Sequence, residues 1–427
     1  MEKINDAIKR LEDFFYDDRL AELYGPSSVE SQRDRYIRIL NWHRSFFKTE
    51  SAMIISSPGR IELGGNQTDH NGGIVLAASI QLDSVAVVTK TDDNIITVNS
   101  ENYPLFKVDL SDLKLKEDEK GKTEALIRGI AAFFSADGYK IGGFNASVLS
   151  DVLPGSGLSS SGSIEILLCS IFNSLYNDDS VTVTELAHFG KEAENVYFGK
   201  PCGLMDPLAC GAGGIISIDF ENQNSPEIVP IDFEFDEFGY KLFLVKTGGS
   251  YSHLSDEFSA IPEEMTSAAS VLGKERCCET TEAEFLSQST VVREISGDRA
   301  FLRALHFFRE NDRVREMIHS LLHRDFDRYL HLVNKSGNSS FKYLQNCYST
   351  AYKNKQGIPV ALALSEGFLD DNGGYRVHGG GFAGSILAYV PDEMAGNYRK
   401  MMESHFGTES VIPLIIRDAS AGPVLLT

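Results

Sequence analysis

The stretch from Asp151 to Ser163, Asp-Val-Leu-Pro-Gly-Ser-Gly-Leu-Ser-Ser-Ser-Gly-Ser, constrains this chain more than any other. A β-like run at 144–149 precedes it, and an apolar-periodic run at 164–176 predicts a helix after it. Strand, Gly/Ser loop and helix in that order suit a phosphate. The first turn of a helix carries unpaired N–H groups and a partial positive charge, where anions settle. Glycine lets the backbone approach closely, and serine hydroxyls bond phosphate or ligate a cation. The spacing is neither a Walker A motif, which needs a following Gly-Lys-Ser/Thr, nor Gly-x-Gly-x-x-Gly, since Gly162 lies five after Gly157. The same cluster also makes a plain turn before an ordinary helix.

Charge narrows the partners. Lys and Arg number 40 against 61 Asp and Glu, a net charge of −21. Non-specific binding to nucleic acid or an anionic membrane needs positive fields, so neither is expected. An anionic substrate must then be held by local groups, helix N-termini and single arginines. The 427 residues, 42% hydrophobic, suffice for two domains with a sizeable core. The six cysteines show neither Cys-x-x-Cys nor zinc spacing. Free thiols fit a reducing cytoplasm. The N-terminus lacks an apolar signal region and no run is long enough to span a membrane, so a cytoplasmic protein is expected.

Residues 1–48 predict helices that elaborate the domain behind them, with Ile4, Ile8, Leu11 and Phe15 on one face. From 33 to 47 a second helix turns Tyr36, Ile39, Leu40 and Phe47 inward. A short strand at 53–56 leads into a polar, glycine-shaped loop at 57–73, followed by strands at 74–80 and 84–90 and a hairpin into 95–98. The loop carries Arg60, Glu62, Asn66, Gln67, Asp69 and His70. Carboxylates and amides each take two hydroxyls, as a sugar or other polyol requires; a solvated loop is the plainer reading. Helices are predicted at 122–134 and 183–198, the latter carrying Glu192 and Glu194. Asp206 stands among small and apolar residues, where a carboxylate must be paired or shift its pKa, which makes it a base candidate; a turn or cap is the alternative. Turn-rich and acidic residues between 221 and 241 suggest a boundary, dividing 49–235 from 236–427. Beyond it, strands are predicted at 240–247 and 386–390, with helices at 256–272 and 299–333. His306, His319, His323 and His331 read as packing or surface residues.

Four glycine-bearing motifs now stand in order: Pro58-Gly-Arg60 with Gly65-Asn-Gln-Thr-Asp-His-Asn71, Gly157-Leu-Ser-Ser-Ser161, Cys202-Gly-Leu-Met-Asp206, and Gly379-Gly-Gly-Phe-Ala-Gly384. The pattern resembles the GHMP kinase superfamily and, within it, the galactokinases. The resemblance implies an α+β fold of two domains, the first ribosomal-protein-S5-domain-2-like and the second ferredoxin-like, with ATP and sugar at their interface. It implies Asp206 as general base, Arg60 facing it and stabilising the transferring phosphoryl, and Asn66, Gln67, Asp69 and Gly203 at the sugar. It assigns Gly155, Ser156, Gly157, Leu158, Ser159, Ser160 and Ser161 to the nucleotide, and Ser160, Ser161 and Glu194 to Mg²⁺. The implied reaction is direct in-line transfer from ATP to the anomeric hydroxyl of galactose, with ATP and Mg²⁺ as cofactors. Galacturonate, arabinose or an N-acetylhexosamine are alternative substrates, and a sugar sensor without turnover is a further alternative. Retention of Arg60, Glu194 and Asp206 speaks for turnover.

The chain departs from the pattern where galactokinases have Glu-His and this sequence has Asn66-Gln67, and where their Tyr is His70. In galactokinases that Glu contacts the C6 hydroxyl, so an amide at position 66 is expected to loosen discrimination there. An Ala of the phosphate loop is Gly162 here.

Overall fold

A computed structural model of the chain describes residues 1–152, 155, 157–249 and 254–425. Its strands fall into two sheets. The larger holds β1 (Glu2–Lys3), β2 (Ser51–Gly64), β3 (Ile74–Lys90), β4 (Ile95–Ser100), β5 (Phe106–Asp109), β6 (Phe144–Ser150), β7 (Ile215–Asp219), β8 (Glu227–Ile231) and β13 (Gly422–Pro423). Along it the order is β1-β2-β3-β6-β4-β5, with β13 on β2 and β7–β8 on the far part of β3. The smaller sheet orders β10 (Gly374–His378), β11 (Gly384–Pro391), β9 (Tyr240–Gly248) and β12 (Val411–Leu414) as β10-β11-β9-β12.

Period-two alternation buries both faces of the large sheet. Ile55, Ala86 and Val88 face a core built with helices Thr123–Ala136, Ser160–Tyr176, Val183–Glu192 and Met205–Ala212. Ile54, Val85 and Val87 face the other way, onto Leu11, Leu20, Tyr36 and Ile39 of the N-terminal helices. The far ends of β2 and β3 reach further. Ile61, Leu63, Leu76 and Ile80 share a core with Leu244 and Leu387 of the small sheet and with helices Asp298–Leu322 and Phe326–Ser339. These two strands therefore tie the halves together.

Several local expectations change in the fold. The polar loop begins later than its composition suggests: β2 continues through Pro58, Gly59 and Arg60 to Gly64, and bulges at Pro58/Arg60 and Glu62/Gly64 absorb the residues that disfavour a regular ladder. The strands read at 74–80 and 84–90 are one, β3. β4 forms no hairpin with β3, because β6 inserts between them and pairs parallel to β4. The helix read at 299–333 is broken after Leu322, where Arg324 takes a positive φ of 57°. Phe15 is exposed, and its neighbour Tyr16 is buried instead. All six cysteines are free thiols. Among the described residues no helix is long and apolar enough to cross a membrane.

Candidate active site

A cavity of about 500 Å³ opens where the two sheets meet. β2 supplies Arg60 and Glu62, which lie two apart and so leave the same face of the strand. The loop after β2 adds Gln67, Asp69 and His70. From the opposite wall come Ser161, Gly162 and Glu165 of one helix, Glu194, and the segment Lys200–Pro207, which includes Gly203 and Asp206. Phe258, Gly379 and Gly380 close it on the small-sheet side.

Arg60 and Asp206, 146 residues apart, form a fork. Arg60 Nε donates to Asp206 Oδ1 at 2.8 Å and Nη2 to Oδ2 at 2.7 Å. The Arg60 side chain is 7% exposed and that of Asp206 is 32% exposed, so the guanidinium is buried while the carboxylate faces the cavity. Arg60 Nη1 also donates to the Gly157 carbonyl, and Arg60 N–H to the Leu158 carbonyl, which locks the strand to the Gly/Ser loop. Ser159, at a positive φ of 60°, donates its hydroxyl to Asp206 Oδ2 at 2.8 Å. A Cβ at Gly162 would sit 2.6 Å from that hydroxyl, so glycine there leaves room for the Ser159–Asp206 bond. Asp206 itself lies in the first turn of helix Met205–Ala212. Helix Ser160–Tyr176 starts four residues ahead of the predicted apolar run, which puts Ser160 and Ser161 in its first turn.

Asp69 Oδ2 lies 2.8 Å from where a Cβ at Gly203 would be, so a side chain there would displace this carboxylate. Gln67 Oε1 bonds His70 Nε2 at 2.9 Å. Asn66 is placed differently from its expected contact with sugar. It is 0% exposed and does not line the cavity. Its amide donates to Glu62 Oε1 at 3.0 Å and to the Gly379 carbonyl at 2.8 Å, and it accepts from Asn346 at 2.7 Å. His306 bonds its carbonyl at 2.9 Å. Two donors pointing at two acceptors require an amide, so Asn66 clamps the halves together.

Leu158 is buried under the loop, Gly155 is exposed, and Ser156 lies outside the described residues. Glu194 sits in a π-helical turn, Ala193–Phe198, that ends the preceding helix. It pairs with Lys200 at 3.0 Å. Ligand atoms of Glu194, Glu165 and Cys202 lie within 4.8 Å of one another. Glu165 is 1% exposed and neither of its oxygens accepts a hydrogen bond. Burial, with Glu194 next to it, holds its carboxyl well above the usual range. Glu165 is not among the residues expected from the sequence, and Glu62 stands there only as one of the polar residues of its loop; helical spacing from Ser161 and strand spacing from Arg60 are the signals that mark them.

Two family models match. The galactokinase galactose-binding signature covers residues 41–90, and the GHMP kinase N-terminal domain covers residues 125–214. The chain belongs to the galactokinase family of GHMP kinases. Among relatives of this family, the galactokinase of Clostridium tetani is 27% identical over 357 residues, covering 82% of this chain and 87% of that one. The galactokinase of Limosilactobacillus reuteri is 28% identical over 368 residues, covering 84% and 91%. In fold, this galactokinase-family chain is similar to Lactococcus lactis galactokinase complexed with galactose, with a TM-score of 0.76 at 22% identity over 92% of this chain and 99% of that one. Methanococcus jannaschii mevalonate kinase matches with a TM-score of 0.59 at 17% identity, over 86% and 98%. The chain is thus an α+β GHMP kinase, and membership of a kinase family implies the use of ATP.

Proposed function

We propose that this chain is a galactose 1-kinase, transferring the γ-phosphoryl group of ATP to the anomeric hydroxyl of galactose. The observation that carries the reading is the Arg60–Asp206 fork, set on the cavity wall beside the first turn of helix Ser160–Tyr176. A sugar hydroxyl placed at Asp206 loses its proton to that carboxylate as its oxygen attacks phosphorus. Arg60 and Ser159 fix the carboxylate's orientation, so that little rearrangement accompanies the transfer. The unpaired N–H groups of the helix's first turn, with Arg60, face the charge on the transferring phosphoryl. Asp69, wedged against Gly203, accepts from ring hydroxyls, and Gln67 and His70 border the same space.

Mg²⁺ fits the neighbouring wall. Glu165 and Glu194 offer carboxylate oxygens, those of Glu165 are buried and unengaged, and Ser161 lines the same cavity four residues before Glu165 on one helix. Mg²⁺ is a hard ion that takes oxygen ligands, so Cys202 is a neighbour rather than a ligand. When bound, the ion neutralises charge on the phosphate chain. Glu165 and Glu194 would hold it, with Ser160 and Ser161 nearby in the helix's first turn.

The test is a panel of aldoses incubated with ATP and Mg²⁺, with the phosphorylated product identified by NMR. Galactose 1-phosphate is the expected product. Brisk turnover of arabinose, galacturonate or an N-acetylhexosamine, without turnover of galactose, overturns the reading.

A further inference from the structure

The residue that Asn66 supports faces the cavity. Glu62 is buried, 2% exposed, yet lines the cavity next to Arg60, Gln67 and Asp69. Its Oε1 accepts from Arg376 Nη2 at 2.7 Å and from Asn66 at 3.0 Å. Its Oε2 has a single long contact, 3.3 Å from the same Asn66 nitrogen. The Glu62 backbone N–H donates to His378 Nε2 at 3.2 Å. Arg376 and His378 both belong to β10, so the other half of the molecule grips this carboxyl group and fixes its direction. One oxygen is engaged and the other retains acceptor capacity on a wall already carrying sugar-binding groups. A carboxylate with a spare lone pair accepts strongly from a hydroxyl and repels an anion.

We propose that Glu62 is a sugar-binding residue that accepts a hydrogen bond from a substrate hydroxyl and excludes sugars carrying a carboxylate. The inference rests on the sugar-kinase reading above. It replaces the expectation that position 66 governs this discrimination: the amide at 66 holds Glu62 in place, and the negative charge at the sugar stands four residues earlier. The groups facing Glu62 set its charge. Burial pushes its carboxyl up to about 7, against the pull of Arg376 and Arg60 and the Asn66 hydrogen bond, while Asp69 pushes further up. His378 is held neutral by burial and by the two arginines.

The experiment measures the ratio of kcat/KM for galactose to that for galacturonate, both sugars competing in one mixture, so that the folded fraction cancels. In Glu62→Gln the side chain still accepts from Arg376 but carries no charge. The ratio at pH 8 should fall by about tenfold or more, the size of one lost or mismatched polar contact. In the native chain the ratio should rise between pH 6 and 8 as Glu62 ionises, and in Glu62→Gln it should stay flat. Glu62→Asp, which keeps the charge, should keep the preference while raising KM. A ratio unchanged within about twofold in Glu62→Gln, against the tenfold expected for a lost contact, overturns the proposal. Should the native chain phosphorylate another neutral sugar and not galactose, the function reading fails, and the same ratio taken with that sugar and its uronic acid decides the role of Glu62.

Discussion

Asn66 shows how one residue can be placed correctly in a motif and still be assigned the wrong neighbour. Its position in Gly65-Asn-Gln-Thr-Asp-His-Asn71 is plain from sequence, but the partners that occupy it, Glu62, Gly379 and Asn346, come from segments up to 313 residues away. Replacing it with the family residue should therefore harm the protein. In Asn66→Glu two carboxylates would share a buried site about 3 Å apart, and both amide donors would be lost. We expect a loss of at least about 3 kcal/mol in denaturant unfolding, the scale of an uncompensated buried charge. Unchanged stability with sharper galactose preference would mean that residue 66 reaches the sugar. Arg60, Asp69 and Asp206 are legible as polar groups in unusual settings, because a carboxylate among small apolar residues demands a partner. For Asp206 the family resemblance implies that partner, Arg60, and the fold brings the two into contact.

At the scale of elements, the strand–loop–helix around 144–176 is readable because its signal is local. Period-two and helical patterns flank a Gly/Ser cluster, and the fold keeps the strand and the helix. β2 is less readable, since Pro58 and Gly59 are turn residues and only the bulged pairing with β3 reveals a strand. The insertion of β6 between β3 and β4 is a non-local choice that no local pattern encodes. Helix Asp298–Leu322 supports the loop after β2 through Glu310, which accepts from Gly65 N–H at 3.2 Å and Ser336 Oγ at 2.5 Å and pairs with Arg313. Burial would raise this carboxyl, but Arg313, His306 and Arg376 outweigh it and hold it at about 2. A depressed carboxylate stabilises the fold above the unfolded pKa of about 4.3 and loses that contribution as pH falls through the folded value. Native stability should thus carry a Glu310 contribution on the order of 3 kcal/mol that fades between pH 4.5 and 2. Glu310→Gln should flatten that part of a denaturant-unfolding profile against pH. A variant with the native acid dependence would exclude this linkage.

Across the whole molecule, the long strands β2 and β3 join the two halves. They are packed in the cores of both halves, and the loop joining them enters the cavity between the sheets. Arg60 and Glu62 of β2, Asp206 of helix Met205–Ala212 and the first turn of helix Ser160–Tyr176 thereby meet at one place, although the sequence separates them widely. A net charge of −21 supplies no attraction for ATP, so capture depends on that local convergence. We propose that Asp206 accepts the proton as the sugar attacks. The most direct test is Asp206→Asn, with phosphoryl transfer to galactose followed by product formation and sugar binding followed by calorimetry. We expect kcat lower by roughly 10²–10⁴-fold, the usual cost of removing a general base, with galactose affinity largely retained. Turnover near the native rate would contradict it.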